Sequence, residues 1–194
     1  MIGSHNSFTY LPVKKWWMGL LSPWHRCQKH NVYEQYSKGV RCFDLRIKCL
    51  PYTHITHNNI SYIGGMGALL SNIQNLSINA NEKVYLRILL DIRKAPSSNV
   101  ERESQERGFS RVLEAISKQY PHIEILEAAI FYSWQKLRFT PTPSILEYHY
   151  SVMAKWYEKW MGPRLWNYVH RKKKAEFIVA HSNSKDTILL LDFI

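Results

Sequence analysis

Five side chains in this sequence are of the types needed for acid–base chemistry on a phosphate ester. His5 follows a short apolar start, and His57 ends a later apolar run. Asp44 and Arg46 lie two positions apart, on one face of an extended strand, and Asp192 lies in the last apolar run. One imidazole can take a proton from an attacking hydroxyl, the other can give one to the leaving oxygen, and the guanidinium can neutralise phosphate charge. The set suits phosphoryl transfer, although each residue alone is also compatible with a structural role.

Short apolar runs alternate along the chain with longer stretches of helical periodicity, which predicts an α/β protein. The predicted strands are Met1 to Ser4, Val40 to Ile47, Tyr52 to His57, Val84 to Leu90, His122 to Leu126, Ser144 to Tyr150, Phe177 to Ala180 and Thr187 to Ile194. The predicted helices are Val32 to Lys38, Met66 to Ile78, Val100 to Gln119 and Val152 to Trp160. The third helix is amphipathic through Phe109, Val112, Leu113 and Ile116.

Eight strands joined by helices imply a largely parallel sheet closed into a (β/α)8 barrel, with catalytic residues at the C-terminal ends of the strands. The chain has 194 residues, and such barrels typically have about 250. We therefore expect one domain over residues 1–194, a compact and distorted barrel in which loops replace some helices.

The amino-acid composition indicates a globular protein that favours anionic partners. Hydrophobic residues make up 45% of the chain, which is typical of a globular protein. The 26 Lys and Arg residues outnumber 15 Asp and Glu, and the net charge of +11 favours anionic partners such as phospholipid surfaces. Three cysteines without a CxxC pair predict buried, unreactive thiols. The basic run Arg171 to Lys174 is expected to be a solvated face.

The start of the chain resembles neither a signal peptide nor a membrane span, since it lacks a basic segment followed by an apolar run. We therefore expect a cytoplasmic protein as written, or a secreted one if a leader was removed.

Two segments carry recognisable motifs: Gly3 to Tyr10 has the sequence GSHNSFTY, and Gln35 to Ile47 has the sequence QYSKGVRCFDLRI. Together they resemble the signatures of the phosphatidylinositol-specific phospholipase C X-domain family. Ile55 to His57 is similar to the family's second-histidine strand, and Thr187 to Phe193 is similar to its last barrel strand. The resemblance covers residues 1–94, 145–152 and 176–194.

The resemblance implies a role for each residue of the polar set. His5 would be the general base that deprotonates the inositol 2-hydroxyl, and Asp192 would orient it. His57 would be the general acid for the diacylglycerol oxygen, with Asp44 as its charged partner. Arg46 would hold the phosphate. The implied products are diacylglycerol and inositol 1,2-cyclic phosphate.

The triplet Asp44-Leu45-Arg46 resembles the bacterial branch of the family, in which the arginine takes the place of a calcium ion. An arginine also repels a hard cation from its neighbourhood. The resemblance therefore implies an enzyme that needs neither metal nor other cofactor. Asn6 matches the calcium-dependent branch and is expected to donate a hydrogen bond to the phosphate.

Several positions depart from the family pattern. Asn58 replaces the glycine that usually follows the second histidine, and His54 is an alternative to His57 as the acid. Leu89 replaces a lysine near the phosphate, a role that Arg87 or Arg93 would then fill.

The segment Tyr148-His149-Tyr150 is similar to a family segment that binds the inositol ring through Asp-x-Tyr. Tyr150 is expected to stack on the ring, whereas Tyr148 replaces the carboxylate. The preferred head group is therefore open.

Lysines and tryptophans follow the first catalytic loop, as in the short helix with which family members contact the bilayer interface. We expect Lys14, Lys15, Trp16, Trp17 and Trp24 to contact an anionic membrane, with ordinary core packing as the alternative. The later tryptophans, Trp156, Trp160 and Trp166, are predicted to be core because of their helical spacing, although with Lys155 and Lys159 they could form a second membrane edge.

Four other readings stay open at this stage. His54-x-x-His57 could be half of a metal site, but no other metal motif accompanies it. Nucleic-acid binding is not expected, because no nucleic-acid motif is visible and the basic residues are dispersed. An inactive lipid-binding module and a phosphodiesterase for another head group remain the main alternatives.

Overall fold

A computed structural model describes residues 1–21, 25–49, 51–57, 60–92, 98–132, 135–138, 144–182 and 187–193 of the chain. Its strands are β1 Ile2–Ser4, β2 Val40–Lys48, β3 His54–His57, β4 Ile60–Ser61, β5 Val84–Ile92, β6 Ile123–Tyr132, β7 Gln135–Arg138, β8 Ser144–Tyr148 and β9 Thr187–Leu191. Its α-helices are α1 Val32–Ser37, α2 Met66–Ala80, α3 Asn99–Gln119, α4 Tyr150–Met153, α5 Gly162–Val169 and α6 Arg171–His181. Two 3₁₀ helices span Trp16–Leu21 and Trp156–Glu158.

The strands form one curved, largely parallel sheet. Its order is β7-β6-β5-β2-β1-β9-β8, with β3 and β4 attached to β2. Neighbouring strands from β6 to β8 in this order are parallel, whereas β7 is antiparallel to β6. Among the described residues, no strand pairing joins β7 to β8, so hydrogen bonds do not close the sheet. The predicted distorted barrel is confirmed, but as an open one.

A side-chain contact shows how strongly the sheet curls. Arg87 of β5 donates from Nη2 to Glu147 Oε1 of β8 at 3.0 Å, although three strands separate β5 from β8 in the sheet order. The two strands therefore face each other across the barrel interior, and polar residues on the inner face can meet there.

The main core lies between the sheet and the helices on its outer side. Phe43, Leu45 and Ile47 of β2 are fully buried, as are Leu86 and Ile88 of β5. Burial on both faces is typical of parallel strands covered by helices, and it leaves Asp44 in the protein interior.

The helices follow their sequence signals closely. Helix α1 begins with a capping box between Asn31 and Glu34, and α2 ends at Asn81 in a left-handed conformation. Helix α3 buries Phe109, Val112 and Ile116, so its predicted amphipathic face is confirmed.

Three predicted elements were wrong. Phe177 to Ala180 belongs to α6, since a short apolar run does not distinguish a strand from a helix. The Tyr52 to His57 strand is shorter, His54–His57, and pairs antiparallel with β2, so it is not a parallel barrel strand. The Val152 to Trp160 region holds only the end of α4 and a 3₁₀ turn.

Three further predictions concern the burial of the cysteines, of the later tryptophans and of the basic run. Cys27, Cys42 and Cys49 are free and buried, as predicted, and burial raises the pKa of the Cys42 thiol to about 12. Trp166 is buried, but Trp156 is 85% exposed and Trp160 is 66% exposed, so the core prediction was wrong for these two. In the basic run, residues 171–173 are exposed, whereas Lys174 is partly buried.

Candidate active site

His5 and Asp192 form a buried pair where two neighbouring strands end. His5 directly follows β1 and Asp192 directly follows β9, and their side chains are joined by a 2.7 Å contact from His5 Nδ1 to Asp192 Oδ1. The Tyr150 backbone amide donates to the second oxygen of Asp192 at 3.0 Å. Both carboxylate oxygens are thus fixed, and the imidazole with them.

The neighbours of His5 determine which of its nitrogens carries the proton. A carboxylate accepts, so Nδ1 must donate to Asp192. Arg46 Nη2 donates to His5 Nε2 at 2.9 Å, so that nitrogen presents its lone pair. Burial lowers the pKa of His5 well below its usual value, and the electrostatic interactions with His149 and Arg46 lower it further. His5 is therefore a neutral imidazole with a basic Nε2, as a general base requires.

The loop that carries His5 is fixed by hydrogen bonds to its surroundings. The His5 amide donates to the Leu191 carbonyl at 2.8 Å, and the Ser7 amide donates to the Asp44 carbonyl at 3.0 Å. The Gln35 side chain donates to the Ser7 carbonyl at 2.8 Å. Asn6 has a positive φ of 47°, a conformation that asparagine adopts more readily than most residues. The two signature segments therefore contact each other.

Asn6 places its amide nitrogen between the two predicted catalytic histidines. Its Nδ2 lies 3.1 Å from His5 Nε2 and 3.2 Å from His57 Nε2. The other nitrogen of His57, Nδ1, donates to the His25 carbonyl at 2.8 Å, so Nε2 is the atom directed to the site. The imidazole rings are edge to face, with centroids 6.5 Å apart. The structure therefore brings His5, Asn6 and His57 together.

Asp44 is a buried carboxylate held by cations and by one backbone amide. The Asn6 amide donates to its Oδ2 at 2.9 Å, and Arg46 Nε donates to the same oxygen at 3.4 Å. Burial favours a raised pKa, but Arg46 and Arg87 outweigh it and hold the pKa of Asp44 below its usual value. Asp44 thus adjoins Arg46 and Asn6, and its predicted pairing with His57 stays a prediction.

Arg87 occupies the barrel interior with carboxylates around it. It donates from Nε to Glu127 Oε2 at 2.5 Å and from Nη2 to Glu147 Oε1 at 3.0 Å, and its Nη1 lies 3.7 Å from Asp44 Oδ1. The sheet register explains this, because Asp44, Arg87 and Glu127 are direct partners across β2, β5 and β6. Arg87 therefore contacts three acids in this structure, and its predicted contact with the phosphate stays a prediction.

Sequence reasoning missed two residues of the site, His149 and Glu147. The His149 ring is stacked on the His5 ring, with centroids 3.6 Å apart and planes 2° from parallel. Glu147 Oε2 lies 3.3 Å from His149 Nε2. One signal was available: His149 directly follows β8, as His5 follows β1. The sequence analysis instead assigned the substrate contact in this segment to the neighbouring tyrosines, Tyr148 and Tyr150.

The two tyrosines occupy other surroundings. Tyr148 is buried against Trp166 and Phe177. The Tyr150 hydroxyl donates to the Lys159 carbonyl, and the Lys159 ammonium lies 5.3 Å from its ring centroid. The backbone amide of Tyr150 therefore donates to Asp192, whereas its hydroxyl and its ring both contact Lys159.

His5, His149 and Asp192 each offer a potential metal ligand, and these atoms lie within 4.8 Å of one another. Imidazole binds a metal through a lone pair in the plane of its ring. Two parallel rings separated by 3.6 Å direct their lone pairs along parallel planes, so the lone pairs do not converge on one ion. The geometry fits ring packing and does not fit a metal centre.

The end of β9 is held by Lys174, the partly buried member of the basic run. Its ammonium donates to the carbonyls of Asp192 and Phe193. Burial lowers the pKa of Lys174 to about 8. The residue therefore supports the segment that carries Asp192.

The structure describes two of the remaining sequence candidates, His54 and Leu89. His54 Nδ1 donates to the Tyr52 carbonyl in its own turn, at 2.8 Å. Leu89 is buried beside Arg46 through the β2–β5 register. Asn58, Arg93 and Trp24 lie outside the described residues.

A small cavity of about 10 Å³ adjoins Asn6, Asp44 and Arg46, and Thr56 and Tyr62 also line it. A volume of about 10–15 Å³ is what one water molecule needs. This cavity is therefore the size of a single water molecule and does not enclose a ligand.

The segment after the first loop is exposed. Trp16 is 83% exposed and Trp17 is 46% exposed, so the alternative of core packing is wrong for both. The Lys15 ammonium lies 5.8 Å from the Trp17 ring centroid, and Lys14 contacts Tyr52. No helix in the described part of the chain is long and apolar enough to cross a membrane.

The open barrel with its site at the strand ends has the fold of solved phosphatidylinositol-specific phospholipases C. The structure is similar to the enzyme from Listeria monocytogenes, with a TM-score of 0.63 and 15% identity over 100% of this chain and 87% of that one. It is similar to a mutant of the Staphylococcus aureus enzyme, with a TM-score of 0.59 and 12% identity over 100% of this chain and 84% of that one.

A further Staphylococcus aureus structure concerns modulation of that enzyme's membrane binding. It has a TM-score of 0.56 and 13% identity over 100% of this chain and 85% of that one. No protein-family model matches the chain, and no curated protein matches it either. At these identities the likeness establishes the fold, and the reaction must be argued from the site.

Proposed function

We propose that the protein cleaves phosphatidylinositol by a phospholipase C reaction at a membrane surface. The observation that carries the proposal is that Asn6 Nδ2 lies between His5 Nε2 and His57 Nε2, while Arg46 contacts His5 Nε2 and Asp192 contacts His5 Nδ1. A base, an acid and a fixed cation around one site are the groups required to transfer a phosphoryl group. The fold is supporting evidence.

The first step transfers a proton to His5. The inositol 2-hydroxyl gives its proton to His5 Nε2, and its oxygen attacks phosphorus. Asp192 accepts a hydrogen bond from His5 Nδ1 and stabilises the imidazolium that forms. A carboxylate has the same role in catalytic triads. The new phosphorus–oxygen bond closes the 1,2-cyclic phosphate.

The second part of the reaction breaks the bond from phosphorus to the glycerol oxygen. His57, protonated on both nitrogens, gives its Nε2 proton to that oxygen, and diacylglycerol leaves. The Asn6 side-chain oxygen is buried without a hydrogen-bond partner among the described residues. A half turn of the amide places this oxygen near His57 Nε2, where it accepts a hydrogen bond from the charged ring.

Arg46 supplies the positive charge during both parts. In the resting structure its Nη2 donates to His5 Nε2, while Nε faces Asp44. A bound phosphate competes for the same donors and frees the lone pair of the base. Because the guanidinium is permanently charged, we propose that the reaction needs no metal ion.

The reaction class can be tested by product analysis. Vesicles of phosphatidylinositol, phosphatidylcholine and phosphatidylglycerol are incubated with the protein, and the lipid products are separated. We expect diacylglycerol from phosphatidylinositol alone. Phosphatidylcholine carries no hydroxyl that could close a cyclic phosphate, and the neighbouring hydroxyl of phosphatidylglycerol is on a flexible chain, whereas that of inositol is held beside the phosphate on a ring. Phosphatidic acid as the product would place cleavage on the other side of phosphorus and reject the proposed reaction.

One observation favours a second candidate, a phosphodiesterase of the same mechanism for another head group. Tyr148, which takes the place of the carboxylate that would bind the ring hydroxyls, is buried in the core, and the Lys159 ammonium lies 5.3 Å from the centroid of the Tyr150 ring on which inositol would stack. Diacylglycerol released from phosphatidylglycerol, whose head group also carries a neighbouring hydroxyl, would favour this candidate.

We also propose that exposed tryptophans bring the barrel mouth to an anionic membrane. Trp16 and Trp17 follow β1, while Trp156 and Trp160 follow β8, at the strand ends where His5 and His149 lie. An indole combines an apolar ring system with a polar N–H group, which suits the interface between lipid and water. Neighbouring lysines add attraction to anionic lipid.

Replacing Trp16 and Trp17 together by alanine should weaken binding to anionic vesicles at least about tenfold, because apolar contact area is lost. Hydrolysis of a soluble phosphodiester of inositol should stay unchanged. Vesicle sedimentation and product assays measure the two quantities. The control is Tyr33→Ala, since Tyr33 is 47% exposed, like Trp17, but lies on α1. Equal losses on vesicles and on the soluble substrate would contradict the interfacial role.

A further inference from the structure

His149 is the closest aromatic neighbour of the proposed base for which the mechanism has no use. Its ring covers one face of the His5 ring, with centroids 3.6 Å apart and planes 2° from parallel. Both residues are buried. Asp192 and Arg46 hold His5 in the plane of its ring, through Nδ1 and Nε2 respectively. The contact from His149 acts in the remaining direction, perpendicular to that plane.

His149 is itself held by charged residues of the barrel interior. Its Nε2 lies 3.3 Å from Glu147 Oε2, and the other oxygen of Glu147 accepts from Arg87 Nη2 at 3.0 Å. Arg87 is anchored by Glu127, to which its Nε donates at 2.5 Å. The chain of contacts thus runs from β8 across the interior to β5 and β6.

A second series of contacts connects Arg87 to His5 through Asp44 and Arg46. Arg87 Nη1 lies 3.7 Å from Asp44 Oδ1, Asp44 Oδ2 accepts from Arg46 Nε at 3.4 Å, and Arg46 Nη2 donates to His5 Nε2 at 2.9 Å. His5, His149, Glu147, Arg87, Asp44 and Arg46 therefore form a closed ring of contacts. In a closed ring, movement of one side chain is opposed from both sides.

We propose that His149 is a positioning residue that fixes the ring of the base His5 by stacking on it, and that Glu147 and Arg87 fix His149. The proposal rests on the proposed function, because His5 is a catalytic base only if the protein carries out that reaction. The ordering of the His5 ring, however, can be measured without turnover. His149 acts through His5, since its ring face contacts His5 and its Nε2 contacts Glu147.

Two substitutions separate stacking from other roles of His149. His149→Ala removes the ring, whereas His149→Phe keeps a flat ring and removes both nitrogens. A misplaced catalytic group costs about 100-fold in rate, so we expect His149→Ala to lower kcat on phosphatidylinositol vesicles by about that factor. KM should stay unchanged, because the phosphate contacts of Arg46 are kept. His149→Phe should recover most of kcat.

A second readout does not depend on activity. The His5 Nδ1 proton, buried against Asp192, should give a proton NMR signal protected from exchange with water, assigned by its loss in His5→Ala. We expect the signal in the wild type and in His149→Phe, and broadening by exchange in His149→Ala. His181→Ala is the control, because this histidine lies on α6 and its ring contacts Phe177. Thermal unfolding confirms that each variant is folded.

The outcomes distinguish the two proposals. If the wild type fails to cleave phosphatidylinositol but His149→Ala still loses the protected signal, the proposed substrate is wrong and the positioning role stands. If the wild type is active and His149→Ala keeps both kcat and the signal, the positioning role is wrong and the function stands. If His149→Phe loses as much as His149→Ala, stacking is not the cause and the proposal is overturned.

Discussion

Replacing Asp192 by asparagine is expected to lower kcat by about 10³–10⁴-fold with little change in KM. The amide oxygen can still accept from the Tyr150 amide, which leaves the amide nitrogen facing His5 Nδ1. That nitrogen donates, so Nδ1 must accept and the proton moves to Nε2. The base is then in the wrong tautomer, and the imidazolium loses its counter-charge. Steady-state kinetics on phosphatidylinositol vesicles measure the effect.

The control for this substitution is Glu82→Gln, which also neutralises a carboxylate. Glu82 is bound by Arg41 and Tyr36 at the protein surface, away from His5. We expect this variant to keep wild-type kcat. A loss below about tenfold in Asp192→Asn would show that the carboxylate does not set the tautomer of the base.

Replacing His57 by alanine is expected to lower kcat by about 10²–10⁴-fold on phosphatidylinositol, because the glycerol oxygen leaves poorly without a proton. The loss should depend on the leaving group. An inositol phosphodiester with a nitrophenol leaving group needs no proton there, so His57→Ala should cleave it at close to the wild-type rate. Parallel kinetics on the lipid and on this substrate measure the difference.

His54 provides the matched control, because it is the other histidine of β3 and its Nδ1 contacts the Tyr52 carbonyl in its own turn. His54→Ala should keep wild-type activity on both substrates. If His54→Ala loses activity on the lipid alone while His57→Ala does not, the acid is His54 and the assignment to His57 is wrong.

Much of the fold was predictable because local patterns determine it. The apolar runs of β2 and β5 are buried on both faces, as parallel strands require. The errors fell where local patterns are ambiguous. Only five residues, 49–53, separate β2 from β3, which is too short for a crossover to a parallel strand and explains the antiparallel pairing.

The site was predictable in part for the same reason. His5, Asp44 and Arg46 lie within the two signature segments, and the β1–β2 pairing brings these segments together. The contacts of Arg87 with Glu147 and of His5 with His149 join residues far apart in sequence. The spacing of residues in the sequence does not predict these contacts, because they depend on how far the sheet curls.

The exposure of Trp156 and Trp160 was unpredictable from spacing alone. Their separation of four positions fits one face of an α-helix, but Trp156 begins a 3₁₀ turn and Trp160 lies beyond its end. Neither side chain is therefore directed to the core.

The central claim is that His5 is the base of a metal-independent cyclisation, and phosphorus NMR of the products tests it most directly. Wild-type protein and His5→Ala are each incubated with phosphatidylinositol vesicles in the presence of EDTA. We predict a signal of inositol 1,2-cyclic phosphate with the wild type and none with His5→Ala. A cyclic phosphate signal of equal size in both samples, or one that appears in the wild type only when EDTA is replaced by calcium, would contradict the account.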